Sequence, residues 1–148
     1  MLTEREILTK TQALQINSVT LAFVGDAVYS LYVRERLTLD AGGKSADLQR
    51  TAAKIVSAKG QSGFLDRVLP VLTEEEADVF RRAKNAKKNT KSKSASHLEY
   101  NRSTGFEAVI GYLYLIGEEA RIKELFALHT EEEFTVSAAA QPFKPIRR

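Results

Sequence analysis

The chain has no cysteine and no tryptophan, one methionine and three prolines in 148 residues. Without cysteine it forms no disulfide, holds no metal through thiolate and has no thiol nucleophile. Pro142 and Pro145 lie close to the C-terminus, so Pro70 alone interrupts the rest. No alternating apolar–polar run occurs, and no hairpin dipeptide sits between β-branched stretches, which argues against a sheet. No uncharged run approaches the roughly 20 residues that a bilayer span needs; the apolar stretch from Ala108 to Gly117 is too short. Glu4, Arg5 and Glu6 stand where a secretory leader needs an apolar core. A soluble cytoplasmic protein with no membrane partner is expected.

What is present is helical patterning. The 43% hydrophobic and 28% charged fractions are those of a globular domain, and the length suits one domain. We expect that domain over residues 1–133 and a tail over 134–148, where the prolines fall. The capping pair Thr3 and Glu6 predicts a first helix near Glu4 to Leu14. Asn17 or Ser18 starts a long one through about Leu37, and Asp40-Ala41-Gly42-Gly43 reads as a turn. Ser45 is expected to cap a helix through about Ser57 that continues or restarts towards Leu69. Thr73 with Glu76, and Ser96 with Glu99, are capping boxes for two more, ending near Lys88 and Gly117. The last helix covers about Glu119 to Leu128.

Two of the most apolar stretches each carry one carboxylate. Asp26 sits in Leu21-Ala22-Phe23-Val24-Gly25-Asp26-Ala27-Val28, and Glu107 in Thr104-Gly105-Phe106-Glu107-Ala108-Val109-Ile110-Gly111. Both read as buried helices, and a lone buried carboxylate is costly unless protonated, paired or bound to a cation. Helix-interior glycine costs about 1 kcal/mol against alanine, and Gly25 and Gly111 flank these acids. The economical reading is that the two helices cross at the glycines and that Asp26 and Glu107 share one divalent cation. All five tyrosines lie on these same two helices. A helix apolar on nearly every side also needs more partners than a small domain supplies, which suggests a homodimer through the Asp26 helix.

The net charge of +3 is unevenly placed. Arg81, Arg82, Lys84, Lys87, Lys88, Lys91 and Lys93 follow one another without an intervening acid, a pattern that suits a polyanionic partner such as nucleic acid. Gly42-Gly43-Lys44-Ser45 imitates the end of a phosphate-binding loop, but Thr38 stands where that motif needs glycine and no strand precedes it. His97 and His129 have no metal-ligand spacing, and Asp47 and Asp66 fall on polar helix faces.

The stretch from Leu21 to Tyr29 followed by Leu31-Tyr32-Val33-Arg34 resembles the signature helix of the ribonuclease III catalytic domain, and most closely its Mini-ribonuclease III branch. Ser103 to Leu115 resembles that branch's second motif. Val56-Ser57-Ala58-Lys59-Gly60-Gln61, Thr73-Glu74-Glu75-Glu76 and Arg81-Arg82-Ala83-Lys84-Asn85 fit it in order and spacing. The resemblance implies an all-α ribonuclease III fold, a homodimer and magnesium-dependent cleavage of double-stranded RNA leaving 5′-phosphates. It assigns Asp26 and Glu107 as the catalytic, magnesium-binding carboxylates, and Phe23, Val24, Ala27 and Tyr29 fall at the expected dimer interface. Ala22 and Thr104 stand where larger relatives have acids, a reduction that the Mini branch shares.

With no double-stranded RNA-binding domain expected, the seven basic residues above become the expected RNA contacts, with Lys144, Arg147 and Arg148 of the tail as a weaker option. The family precedent is maturation of the duplex stem around precursor 23S ribosomal RNA, with room for a ribosomal-protein helper. The rival expectations are a catalytically silent double-stranded-RNA-binding dimer on the same fold and, from charge alone, a helical DNA-binding regulator.

Overall fold

Side-chain caps start four of the seven α-helices among the described residues, three of them where the sequence marks them. Ser45, expected as a cap, is instead the first residue of its helix, which has no side-chain cap. The computed structural model describes residues 5–88 and 96–136, and among these every regular element is helical. They are α1 (Lys10–Leu14), α2 (Ser18–Arg36), α3 (Ser45–Val56), α4 (Ser62–Val68), α5 (Glu74–Asn85), α6 (His97–Leu115) and α7 (Glu119–Phe126). Asn17 Oδ1 accepts from Val19 N at 2.8 Å to start α2. Thr73 with Glu76 and Ser96 with Glu99 form reciprocal boxes at α5 and α6. Helix α2 ends in a wider turn over Leu37–Ala41, and Gly42 and Gly43 then take φ of 68° and 104°, open to glycine at little cost. The α3 pattern restarts as α4, and Pro70 lies in a single tight turn, Leu69–Val71.

The N-terminus departs from expectation. The first helix starts at Lys10, boxed by Thr9 and Gln12, and residues 5–8 are not helical. Leu8 N donates instead to Leu115 O at 3.0 Å, and Arg5 Nη2 to Tyr114 O at 2.6 Å, with the guanidinium 3.8 Å above the Tyr114 ring. Bonds to the end of α6 replace a helical turn there. The expected cap, Thr3, lies outside the described residues.

Helix α6 is the axis of the core. From Ser103 to Leu113 every residue except Glu107 is buried, with α2 crossing one side and α5 packed on another. Helix α5 is held by a bidentate pair: Arg121 Nε and Nη2 each donate to the buried Glu76 carboxylate at 2.9 Å. Phe64, Phe106, Phe126 and Tyr29 form an aromatic cluster beneath α2 and α6. Phe134, expected to begin a tail, is buried with its edge on His129 at 5.0 Å, so the packed unit includes it. Among the described residues no helix is long and apolar enough to cross a membrane.

Candidate active site

The α2–α6 crossing is made by glycine. A Cβ on Gly25 would lie 1.7 Å from Glu107 O, and one on Gly111 would lie 1.9 Å from Leu21 O. Such backbone contact is open only to residues without a side chain. It brings Asp26, the neighbour of Gly25, against Glu107, as the two sequence motifs led us to expect.

The two acids differ in setting. Asp26 is exposed, which corrects the expectation of a buried carboxylate; Glu107 is half-buried. The reason is that only one side of α2 is covered: Phe23 is 78% exposed and Leu31 51%, on the strip that also includes Ala27. Burial, then the adjacent Asp26 carboxylate within hydrogen-bonding reach, raise the Glu107 pKa to about 9; a hydrogen bond from Gln61 opposes the rise. The charged form of Glu107 is disfavoured first by desolvation and then by the neighbouring acid. A bound hard divalent cation would offset both, and the donors here are all oxygen. No third Asp, Glu or His joins the pair in a ligand cluster among the described residues. Ala22 is buried in the crossing, and Thr104 Oγ1 donates to Tyr100 O at 2.9 Å within its own helix.

The ribonuclease III domain profile matches residues 19–118, the stretch from α2 to just beyond α6. The chain belongs to the ribonuclease III family. It is 41% identical over 126 residues to Mini-ribonuclease 3 of Thermoanaerobacter sp. (strain X514), covering 85% of this chain and 89% of that protein. With Mini-ribonuclease 3 of Symbiobacterium thermophilum it shares 46% over 112 residues, 76% of this chain and 86% of the relative. A Fusobacterium nucleatum protein of known crystal structure superposes with a TM-score of 0.70 at 34% identity, over 76% of this chain and 91% of that one. Within the ribonuclease III family the chain is thus a Mini-ribonuclease 3-like member with an all-helical fold.

In this ribonuclease III fold the basic cluster divides. Arg81 and Lys87 are exposed, although Arg81 is paired with Asp78. Arg82 Nη2 donates to Leu14 O at 3.2 Å, tying α5 to α1. Lys88 turns back on the end of α5: its Nζ donates to Lys84 O at 2.9 Å and Ala86 O at 2.7 Å, and burial lowers its pKa. Lys84 is half-buried, and Lys91 and Lys93 lie outside the described residues. The tail residues Lys144, Arg147 and Arg148 lie outside them too.

Of the expected dimer residues, Phe23 and Ala27 are exposed and Val24 is half-buried. Tyr29 is a correction: it is fully buried on another face of α2, its hydroxyl 2.8 Å from His129 Nε2.

Two residues escape sequence reasoning. Gln61, at the start of α4, is 0% exposed and hydrogen-bonds Glu107; its place in the Val56–Gln61 motif was the available signal. His129, isolated in sequence, stacks 3.6 Å from Phe64, and its Nδ1 lies 3.1 Å from Glu133 Oε1. With Glu133 ionised, Nδ1 carries the proton and Nε2 accepts from Tyr29. Arg67 Nη2 donates to the same Glu133 oxygen at 2.6 Å. Burial lowers the His129 pKa to about 4, so the ring is neutral at pH 7. This network is a structural lock between the C-terminal segment and α2.

Proposed function

We propose that this endoribonuclease of the ribonuclease III family cleaves double-stranded RNA with a magnesium ion held by Asp26 and Glu107. The observation that carries the reading is the carboxylate pair at the glycine crossing, where Glu107 keeps a proton that a divalent cation displaces. When bound, magnesium supplies Lewis acidity that polarises a phosphodiester and acidifies water. Asp26 presents its carboxylate at the surface, where an RNA backbone arrives, while Glu107 anchors the site from within. Arg81 and Lys87 bind phosphates, and duplex RNA is read by shape more than by sequence. The exposed Phe23, Ala27 and Leu31 strip forms a twofold interface that sets one site against each strand. The products carry 5′-phosphates, and the biological substrate is the stem flanking precursor 23S ribosomal RNA in the cytoplasm.

The test is digestion of a duplex RNA with magnesium or with a chelator, using the wild type, Asp26→Asn and Glu107→Gln. Cleavage that needs magnesium and is lost in both variants, while RNA is still bound, supports the reading. Cleavage by either variant at the wild-type rate overturns it, and binding without cleavage by the wild type identifies a silent RNA-binding protein.

A further inference from the structure

Among the described residues, Gln61 is a wholly buried side-chain amide beside Glu107 of the carboxylate pair. The turn before α4 is drawn tight to place it. Ser57 Oγ donates to Lys54 O at 2.8 Å and accepts from Gly60 N at 2.9 Å. Gly60 is required there, since a Cβ would meet Lys54 O at 1.8 Å. The next residue therefore enters the interior, 0% exposed.

The amide orientation is fixed by its partners. Nε2 donates to Val56 O at 2.8 Å, and an amide turned the other way would set two acceptor oxygens against each other. The second N–H of Nε2 is then left for the neighbouring Glu107 carboxylate, whose charged form Gln61 favours. This leaves Oε1 buried with no hydrogen-bond partner. An orphan acceptor in a native interior calls for an explanation, because most buried polar atoms are paired. An amide with one donor on a backbone carbonyl, the other left for a carboxylate, and an acceptor without a donor fits a site completed by a hydrated cation, whose waters are donors.

We infer that Gln61 is a positioning residue of the cation site, its Nε2 fixing the Glu107 carboxylate and its Oε1 accepting a hydrogen bond from a water of the cation's hydration shell. The inference rests on the reading of Asp26 and Glu107 as the cation ligands. Residues that orient metal ligands typically contribute about 10–100-fold to metal affinity.

The experiment is titration of the RNA-free protein with Mn2+ by calorimetry, for the wild type, Asp26→Asn and Gln61→Leu, with thermal melts alongside. Leucine keeps the buried volume and removes both polar atoms. The expected result is Mn2+ binding by the wild type, loss in Asp26→Asn and an affinity about 10–100-fold weaker in Gln61→Leu. The magnesium concentration for half-maximal cleavage rises in the same proportion, a change that a packing role would not produce. Should Gln61→Leu fail to fold, Gln61→Asn, which withdraws the amide by one methylene, carries the same expectation. Unchanged Mn2+ affinity in the folded variant overturns the role of Gln61 while leaving the carboxylate site standing. A wild type that binds no Mn2+ overturns both.

Discussion

Gly25 and Gly111 meet across the α2–α6 crossing so closely that a Cβ on Gly25 would stand 2.8 Å from Gly111 N. The approach fixes the separation of the two acids, so helix packing and site geometry are one feature. Gly25→Ala forces the helices apart, because the obstructing atoms are backbone and have no rotamer to change. We expect a stability loss of about 3 kcal/mol or more, far above the gain that alanine brings to an ordinary helix position. Thermal melts and cleavage assays check this; a variant as stable and active as the wild type would refute the crossing.

The pH dependence of the site follows from Glu107. Its folded pKa of about 9 lies above its ordinary 4.5, so without a cation the folded state holds the extra proton. The contribution of Glu107 to stability is full below about pH 4.5 and declines as pH rises towards 9. Glu107→Gln removes the decline and stabilises the cation-free protein at pH 8 by about 1–3 kcal/mol, a figure reduced for the solvent-facing side of the pair. Cation binding at pH 7 releases about one proton per site, measurable by calorimetry in buffers of different ionisation enthalpy.

Charge alone does not make the basic residues equivalent. Lys87→Ala is expected to weaken duplex RNA binding and to lower the slope of log affinity against log salt by about one. Lys88→Ala removes the cap on the last carbonyls of α5 and lowers thermal stability by about 0.5–1.5 kcal/mol. Filter binding across a salt series, with melts of the same proteins, separates the two roles.

The exposed Phe23 in mid-helix tests the proposed twofold interface. With Phe23 78% exposed, Phe23→Glu places charge at the centre of the proposed interface. We expect monomers in sedimentation velocity where the wild type sediments as a dimer, with helicity unchanged. A wild type that is monomeric at high micromolar concentration removes the interface.

His129 makes the core sensitive to acid. Its folded pKa of about 4 lies below the ordinary 6.5, so the stability it supports is present above pH 6.5 and is lost as pH falls towards 4. His129→Leu flattens that part of the profile but leaves the Tyr29 hydroxyl without its acceptor, at a cost of about 1–3 kcal/mol near pH 7. Chemical denaturation at several pH values reads both effects.

Much of the fold is written locally. A capping box is decided within four residues, so Thr73 with Glu76 and Ser96 with Glu99 announce α5 and α6 without reference to the rest of the chain. The same rule misleads over residues 5–8, where bonds from Arg5 and Leu8 to the end of α6 hold the chain out of a helix. Tyr29 shows the limit of periodicity: it belongs to an apolar helix, but which apolar face meets the core is set by α6, α4 and His129.

The sequence by itself determined most of the helices, the capped starts of α2, α5 and α6, and the pairing of two acids with two glycines, because caps, period and the penalty for buried charge act over a few residues. Only the tertiary structure decided that Asp26 faces solvent, that Lys88 closes its own helix, that Gln61 is buried near Glu107, and that His129 ties the C-terminal segment to α2. Those roles depend on partners as far away as His129 is from Tyr29, 100 residues along the chain. Hydrogen bonds and burial are properties of the packed chain, and no local pattern encodes them.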